Sequence, residues 1–412
     1  MSIVLFEDER VGRLFPITLS RPAYAVTCGS YRLIDWLARW QQPLRAIVRP
    51  HLAEIQRLDY PQFQSPKSGL GKLLLVNARL VPAASVLRTL RSLSEAHASG
   101  AFYWQGELAA ALLTTDAWLT STDPAKLADQ LRLAGVEQLP RHDAELPLFR
   151  YPHDVIAWNM KCLGENLADR IATGPYREIA DGVFAAEDAK LGQYVVSETS
   201  AGPIVLDSGA SIGPYTLLRG PVYLGPKTKV IEHSAIKDNV SVAHTVKIGG
   251  EVEASVIEPF SNKQHHGFLG HSYLGSWINL GAGTCNSDLK NSYGHVKMEY
   301  RGQSHSTGMQ FLGCVVGDYS KTAINTSIFT GKVIGACSML YGFVTTNVPS
   351  FVNYARSFGQ VTELPAEIMA ATQQRMFARR SVEQRACDIQ LLHDMYELTR
   401  HERQLAGEPL SL

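Results

Sequence analysis

From Leu206 onward an aliphatic side chain returns at every sixth residue: Ile212, Leu218, Leu224, Val230, Ile236, Val242 and Ile248, then Ala254. Glycine follows several of them, as in Ile212-Gly213, Leu224-Gly225 and Ile248-Gly249. The phase resumes at Phe268, Leu274 and Leu280, and again through Val316, Thr322, Ile328, Ile334, Leu340 and Thr346. A period of six matches neither the 3.6 of an amphipathic helix nor the 2 of a half-buried strand. It fits a chain that turns a corner after each short strand, three strands closing one triangular coil. One aliphatic per side then points into a narrow interior, and stacked coils bury these residues in continuous ladders. Glycine is expected at the corners, where it adopts positive φ without steric penalty. The phase breaks at residues 258–267 and 284–310, and these are the places where a regular scaffold can carry chemistry.

Residues 1 to about 175 follow a different pattern. Ile3-Val4-Leu5-Phe6, Leu44 to Val48 and Leu73 to Val76 are apolar runs of buried-strand type, alternating with helical patterns at Ser30 to Trp40 and Leu87 to Ala98. That alternation predicts an α/β domain with a mostly parallel sheet, closed by a helix over Asp154 to Ile171. The expected organisation is an α/β domain over 1–175, a β-helix over 176–350 and a helical tail over 360–412. In the tail Val382, Ala386, Ile389, Leu392, Met395 and Leu398 mark one apolar face. It is expected to cap the β-helix or pack on a neighbouring subunit, with a solvated coiled segment as the alternative.

Lys+Arg and Asp+Glu are both 39, so no charge imbalance points to nucleic acid or an anionic membrane. No run approaches the roughly 18 apolar residues of a membrane span. The start, Met1 to Asp8, ends its short apolar run in acids and reads as a buried strand, not a signal peptide. The six cysteines show no C-x-x-C spacing, which fits reduced thiols in a cytoplasmic protein.

Gly12-Arg13-Leu14-Phe15-Pro16-Ile17-Thr18-Leu19-Ser20-Arg21-Pro22-Ala23 resembles the signature loop of sugar-1-phosphate nucleotidyltransferases, and Gly29 to Asp35 resembles the segment that follows it. The resemblance implies that Arg13 sits at the triphosphate and that Arg21 takes the place of the family's catalytic lysine. It also implies Mg²⁺. Two departures stand out. Where the family loop is glycine-rich, this chain has Phe6-Glu7-Asp8-Glu9-Arg10-Val11, whose three acids would repel a triphosphate unless they bind metal. Where the family carries a metal-binding Asp after a strand, this chain has Asn77, a weaker ligand for a hard cation. Asp154 is the remaining candidate metal ligand, with a helix N-cap as the alternative.

The stretch Phe260-Ser261-Asn262-Lys263-Gln264-His265-His266-Gly267-Phe268-Leu269-Gly270-His271, leading into Asn279-Leu280-Gly281-Ala282-Gly283-Thr284, resembles another family. It is the bifunctional N-acetylglucosamine-1-phosphate uridyltransferase/glucosamine-1-phosphate acetyltransferase family, in its divergent branch with a left-handed β-helix tail. Such coils wind left-handed, against the usual right-handed crossover rule. Acyl transfer from a thioester to an amine needs a base, and histidine suits neutral pH. The resemblance makes His265 that base and sets Asn279 at the sugar or its amide. It lays Gly281 and Ala282 along the arm of acetyl-CoA. Phe268 stands where the relative has Tyr. A phosphate-gripping Lys of the relative aligns with Ser255, leaving Lys263, Lys290 or Lys297 to supply the charge. Asn286 completes the candidate substrate contacts. A pair of exposed loop histidines and a structural Asn ladder are the bland alternatives for His265 and Asn279.

The resemblance implies a sugar phosphate and a nucleoside triphosphate or sugar nucleotide as ligands, and a homotrimer as the assembly. Two other readings stand beside it. His266, His271 and His244 could form a zinc site of the β-helix carbonic-anhydrase type. The chain could also be a non-catalytic sugar-nucleotide-binding regulator or scaffold.

Overall fold

The computed structural model describes residues 1–63, 71–115 and 124–405. They form two compact units, one of residues 1–14, 18–26 and 31–151, the other of residues 15–17, 27–30 and 152 onward. Among the described residues no helix is long and apolar enough to cross a membrane.

In the first unit the apolar runs become strands β1 (Ser2–Phe6), β2 (Leu44–Ile47) and β3 (Gly71–Asn77). They are joined in one sheet by β4 (Gly100–Trp104), β5 (Glu107–Thr115) and β6 (Arg141–Asp143), in the order β2-β1-β3-β5-β4-β6. β1 is parallel to β2 and β3, whereas β5 is antiparallel to β3 and β4, so the sheet is mixed. The antiparallel part comes from a hairpin. Gln105 and Gly106, both at positive φ (48° and 81°), join β4 to β5 as a two-residue turn whose twist matches that of the strands. Helices α1 (Leu33–Ala38), α2 (Ala53–Asp59), α3 (Ala84–Ala96) and α4 (Pro124–Leu133) complete the unit. α3 buries Ala84, Val86, Leu87 and Leu90 along one stripe, as its periodicity requires.

The second unit is a left-handed parallel β-helix with helices at its flanks. Strands one coil apart pair in parallel register, so that Ile212 lies beside Val230, Val230 beside Ile248 and Ile248 beside Lys263. The repeat aliphatics from Leu206 to Ile248 share one buried core with Leu274, Leu280, Val316, Ile328, Ile334 and Leu340. At the ends of the phase the pattern slips by one or two residues. Leu269, not Phe268, faces inward, and Val344 takes the place expected for Thr346.

Gly209, Gly250 and Gly283 hold positive φ as expected, but the glycines that directly follow the aliphatics have a different purpose. Gly213 and Gly249 do not adopt positive φ. A Cβ on Gly213 would lie 2.4 Å from the backbone nitrogen of Glu232, and one on Gly249 would lie 2.3 Å from the carbonyl oxygen of Gln264. Close approach of successive coils excludes a side chain there. Other left-handed corners carry large residues, among them Tyr215, His233, Phe260, His271 and Trp277. Each such conformation is unfavourable by about 1–2 kcal/mol for a residue with a Cβ. Stacking between coils offsets part of this: Phe260 on Trp277 at 4.3 Å, and Tyr215 on His233 at 5.2 Å.

Of the two expected breaks, the first stays within the coil, shortened by a few residues. Asn262–Lys263 pairs with Lys247–Ile248, and Phe268–Gly270 with Glu251–Glu253. The hexad loses its phase because the coil shortens here: Val242 pairs with Ile257 and Ile248 with Lys263, each 15 residues on, where Ile212 and Val230 pair 18 residues on, and Lys263 adds a polar residue at an interior place. The second break is a true excursion. Between Asn286 and Cys314 the chain leaves the coil and forms an antiparallel hairpin, Lys297–Tyr300 against Gln303–Ser306.

Helix α5 (Pro152–Thr173) lies with this second unit. Leu163 and Leu167 pack on Val205 and Tyr223 of one β-helix face. The short segment 27–30 runs along the same side. Thr27 donates through N and Oγ1 to Glu258, both at 2.9 Å, and Asn159 Oδ1 accepts from Gly29 N at 2.9 Å. Gly29 (φ +59°) has no room for a side chain, since a Cβ would stand 2.5 Å from Cys162 Sγ.

The tail is two helices, α6 (Ala366–Ala378) and α7 (Ala386–Leu398), with a short α8 (Arg400–Leu405). It packs on the β-helix of its own chain: Phe377 lies 4.4 Å from Trp277, and Glu402 Oε2 accepts from Ser350 N at 2.8 Å.

Candidate active sites

In an open α/β sheet, ligands bind beyond the carboxyl ends of the strands where the strand order reverses. The chain passes from β1 to β2 on one side and then to β3 on the other side of β1. The reversal therefore falls at the ends of β1 and β3, which lead into Glu7, Asp8 and Arg79. Glu7, 1% exposed, accepts from Ala23 N (2.8 Å), Arg49 N (3.0 Å), Arg49 Nε (2.9 Å) and Arg49 Nη2 (3.1 Å). Arg49 Nη2 also donates to the carbonyl oxygens of Thr18 (2.7 Å) and Arg21 (3.1 Å). One buried ion pair thus pins the loop that carries the nucleotidyltransferase-like motif. On that loop Arg21 is buried and Arg13 is exposed at the end of a 3-10 turn, Glu9–Leu14.

Asp8 and Glu107 are also paired. Arg79 bonds Asp8 through Nε (3.0 Å) and Nη2 (2.6 Å), Glu107 through Nη2 (2.7 Å), and the carbonyl of Phe149 through Nη1 (2.8 Å). Arg10 reaches Glu107 at 2.9 Å. Burial pushes the Glu107 carboxyl up, but the Arg79 and Arg10 guanidiniums more than offset it and hold it below the usual carboxylate range. The repulsion expected from Glu7 and Asp8 is therefore largely cancelled by arginines, while Glu9 is exposed. Asn77 is fully committed as well. Its Nδ2 donates to Asp8 (2.9 Å) and to the Leu108 carbonyl (3.0 Å), and its Oδ1 accepts from Arg79 N (3.0 Å). With a guanidinium already on the carboxylates, these strand-end residues do not fit a divalent cation. Asp154 is not an N-cap. It is in the first turn of α5, in the second unit, 3.6 Å from His153 Nε2. Among the described residues no group of three or more His, Cys, Asp or Glu side chains could hold a metal ion.

On the β-helix, the two polar residues expected to face substrate point into the coil. Lys263, 2% exposed, donates to the carbonyl oxygens of Gly249 (2.9 Å) and His265 (2.7 Å). Burial brings its ammonium down to about 8. Asn286, also buried, bonds Gly270 at both N (2.9 Å) and O (3.0 Å). His265 is exposed, its Nε2 3.1 Å from Gln264 Nε2. Asn279 is exposed on an outer face beside Asn262, 3.4 Å away, in a column that continues to Lys321. Gly281 N donates to Thr322 Oγ1 (3.0 Å), and Ala282 accepts from Asn325 N (2.7 Å), so both backbones join successive coils. Lys290 lies in the excursion, 3.4 Å from the His295 carbonyl. Phe268 faces outward over Gly270.

One pairing was not apparent from motif order: His271 Nδ1 lies 2.8 Å from Asp288 Oδ2. The signal was the coil length, because residues one coil apart are neighbours and these two are 17 apart in sequence.

Residues 3–171 match the family described as sugar nucleotidyl transferase. The chain resembles bifunctional enzymes of that kind. It is 32% identical over 125 residues to the bifunctional sugar-1-phosphate nucleotidylyltransferase/acetyltransferase of Sulfurisphaera tokodaii, covering 30% of this chain and 29% of that protein. It is 32% identical over 179 residues to the bifunctional protein GlmU of Alkalilimnicola ehrlichii, covering 38% and 35%. With GlmU of Xylella fastidiosa the identity is 26% over 290 residues, covering 64% and 57%. The chain thus spans about a third of the length of the first two relatives and 57% of the third. Among solved structures, a UDP-N-acetylglucosamine acyltransferase of Francisella novicida aligns with 55% of this chain and 82% of its own at 15% identity and a TM-score of 0.25.

Proposed function

We propose that the chain is a sugar-1-phosphate nucleotidyltransferase joined to an acyl-CoA-dependent transferase acting on an amino-sugar phosphate. The observation that carries this reading is the Glu7–Arg49 pair, which holds the motif loop at the ligand crevice of the α/β sheet. That loop lies inside the segment matching sugar nucleotidyl transferases. Nucleotidyl transfer asks a protein chiefly for cations and N–H donors around the phosphates. In this reading Arg13 meets the triphosphate, and Arg21 steadies the charge that develops at the attacked phosphorus. Mg²⁺ supplies further charge neutralisation in such transfers. Asn77 and Asp8 are committed to other partners and do not hold it.

For the β-helix, acyl transfer calls for a base beside the amine and for donors to the oxyanion. Acetyl-CoA is the proposed donor, with Gly281 and Ala282 along its arm and the exposed Asn279 at the sugar. The resemblance would give the base to His265. A homotrimer is the proposed assembly.

Two assays test the halves separately. Pyrophosphate release from a nucleoside triphosphate and a sugar 1-phosphate should fall about 100-fold or more in R13A and R21A. Thiol release from acetyl-CoA with an amino-sugar phosphate should persist in both variants. Failure to bind any nucleotide sinks the first half, and absence of thiol release over an acceptor panel sinks the second. The commitment of Asn77 and Asp8 favours one further reading, a first unit that binds a sugar nucleotide without transferring it. Binding without pyrophosphate release would select that reading.

A further inference from the structure

Along one face of the β-helix, the residues that precede the inward ones stand in register from coil to coil. Lys229 lies beside Lys247, Lys247 beside Asn262, Asn262 beside Asn279, and Asn279 beside Lys321. Strands paired in this way are about 4.8 Å apart. Asn262 Nδ2 approaches Asn279 Oδ1 at 3.4 Å, and Asn262 Oδ1 accepts from Arg380 Nη2 at 2.7 Å. Arg380 comes directly after the C-cap of α6, Arg379, and Phe377 fixes that end of the helix 4.4 Å from Trp277. The tail thus sets a guanidinium on Asn262, three residues before His265 in the same coil.

This corner is cationic and has no counter-charge. Among the described residues no carboxylate pairs with Lys229, Lys247, Arg379 or Arg380. Burial pushes the Lys247 ammonium down, and the charges of Arg380, Lys229 and Arg379 push it the same way. The dipole of α6 accounts for cations at its C-terminal end. It does not account for their being gathered beside Lys247, against the repulsion of like charges. Donors also remain: among the described residues Nε and Nη1 of Arg380 make no hydrogen bond, and neither does Nδ2 of Asn279. Cations held together with unused N–H groups raise the local potential for an anion.

The lysines considered for a phosphate grip do not supply one here. Ser255 stands at the place of the relative's lysine and is buried; its Oγ donates to Glu253 O (2.7 Å) and accepts from Ser272 N (3.1 Å). Lys263 points into the core, and Lys290 bonds within the excursion. We infer that Arg380 and Lys247, with Arg379 beside them, form a phosphate-binding site next to the turn that carries His265. The guanidinium fork offers two parallel N–H bonds to phosphate oxygens, and the ammonium adds a point charge. Asn279 Nδ2 is a further donor on the same column. The bound group is a phosphate ester, either of the amino-sugar acceptor or of acyl-CoA. The identity of the ester rests on the acyltransferase reading, whereas the anion site itself does not.

The test uses the full chain with R380Q, R380K, K247Q and, as a control on the same face three coils away, K190Q, each checked for a wild-type melting profile. Thiol release from acetyl-CoA with glucosamine 1-phosphate is followed at one ionic strength. R380Q and K247Q should raise KM for one of the two substrates by about 10–100-fold with kcat little changed, because the contact is made equally in ground and transition states. R380K should fall between wild type and R380Q, and K190Q should match wild type. A rise in KM for glucosamine 1-phosphate assigns the site to the sugar phosphate, and a rise in KM for acetyl-CoA assigns it to the acyl donor. Unchanged KM for both in folded R380Q and K247Q overturns the site, as does an equal effect of K190Q. Calorimetric titration with inorganic phosphate, in an R13A/R21A background that removes the proposed anion site of the first unit, reads the site without turnover. If the wild-type chain releases no thiol, the acyltransferase reading fails and this titration decides alone: weaker binding in R380Q and K247Q sustains the site, and equal binding overturns it.

Discussion

The ammonium of Lys263 lies 2.7 Å from the carbonyl oxygen of His265, at an interior place that neighbouring coils fill with Val230, Ile248 and Leu280. A charge is held inside an aliphatic ladder by backbone carbonyls alone, and it anchors the turn that carries His265. Burial lowers this ammonium from an ordinary value near 10.5 to about 8. Between those values the unfolded chain binds more protons than the folded one, so Lys263 makes stability rise with pH across that window. K263M removes the contribution. The stability of wild type relative to K263M should therefore rise between pH 8 and pH 10, by on the order of 2 kcal/mol. Urea midpoints of the β-helix transition measured across that range check it, and parallel curves for the two proteins would refute it.

The Glu7–Arg49 pair makes a second prediction. Removing one member of a buried ion pair strands the other, at about 3–5 kcal/mol. E7A should destabilise the first unit by that amount and release the Thr18–Ala23 segment that Glu7 and Arg49 hold. The double variant E7A/R49M should lose less than the sum of the single losses, because no charge is left alone. Denaturation of the four proteins closes the cycle, and additive losses would contradict the geometry.

Arg79 is buried against Asp8 and Glu107. Glu107 titrates below its ordinary range in the folded chain. Its contribution is therefore present above the unfolded carboxylate value and is lost as pH falls through the folded one. R79M should cost about 3 kcal/mol or more near pH 7, and the deficit should shrink at acidic pH as Glu107 becomes neutral. Thermal melts at neutral and acidic pH decide it. A deficit independent of pH would mean that Arg79 acts by packing alone.

Phe377 of α6 stacks on Trp277, which stacks on Phe260 one coil below. F377A removes a buried ring and should cost about 3–5 kcal/mol. The loss should appear as faster hydrogen exchange over Ala366–Ala378, with the coils around Ile236 and Val252 unchanged. Unchanged exchange in α6 would show that other contacts hold the tail.

The period of six was enough to place the coil and the core, because one inward residue per side is a local rule. It misread the first break because the coil there shortens from 18 residues to 15, which shifts the phase, and because Lys263 is inward yet polar. The strands of the α/β unit were legible as apolar runs, but the β4–β5 hairpin was not, since Gln105-Gly106 is a modest turn signal. The motif loop was legible in Arg13 and Arg21. Its anchor was not, because Arg49 lies 42 residues from Glu7, and Arg79 lies 71 residues from Asp8.

What the chain's order of residues determined by itself is therefore the scaffold: a stack of triangular coils after an α/β unit, set by repeating local choices of aliphatic, glycine and corner residue. What only the tertiary structure decided is the state of its polar groups. Whether an acid repels phosphate or is neutralised depends on the arginine that packing brings to it. Whether a histidine is solvated or paired depends on the partner that reaches it. His265 and His271 look alike in the sequence. The coil and its one long excursion bring a carboxylate to His271 and only an amide to His265.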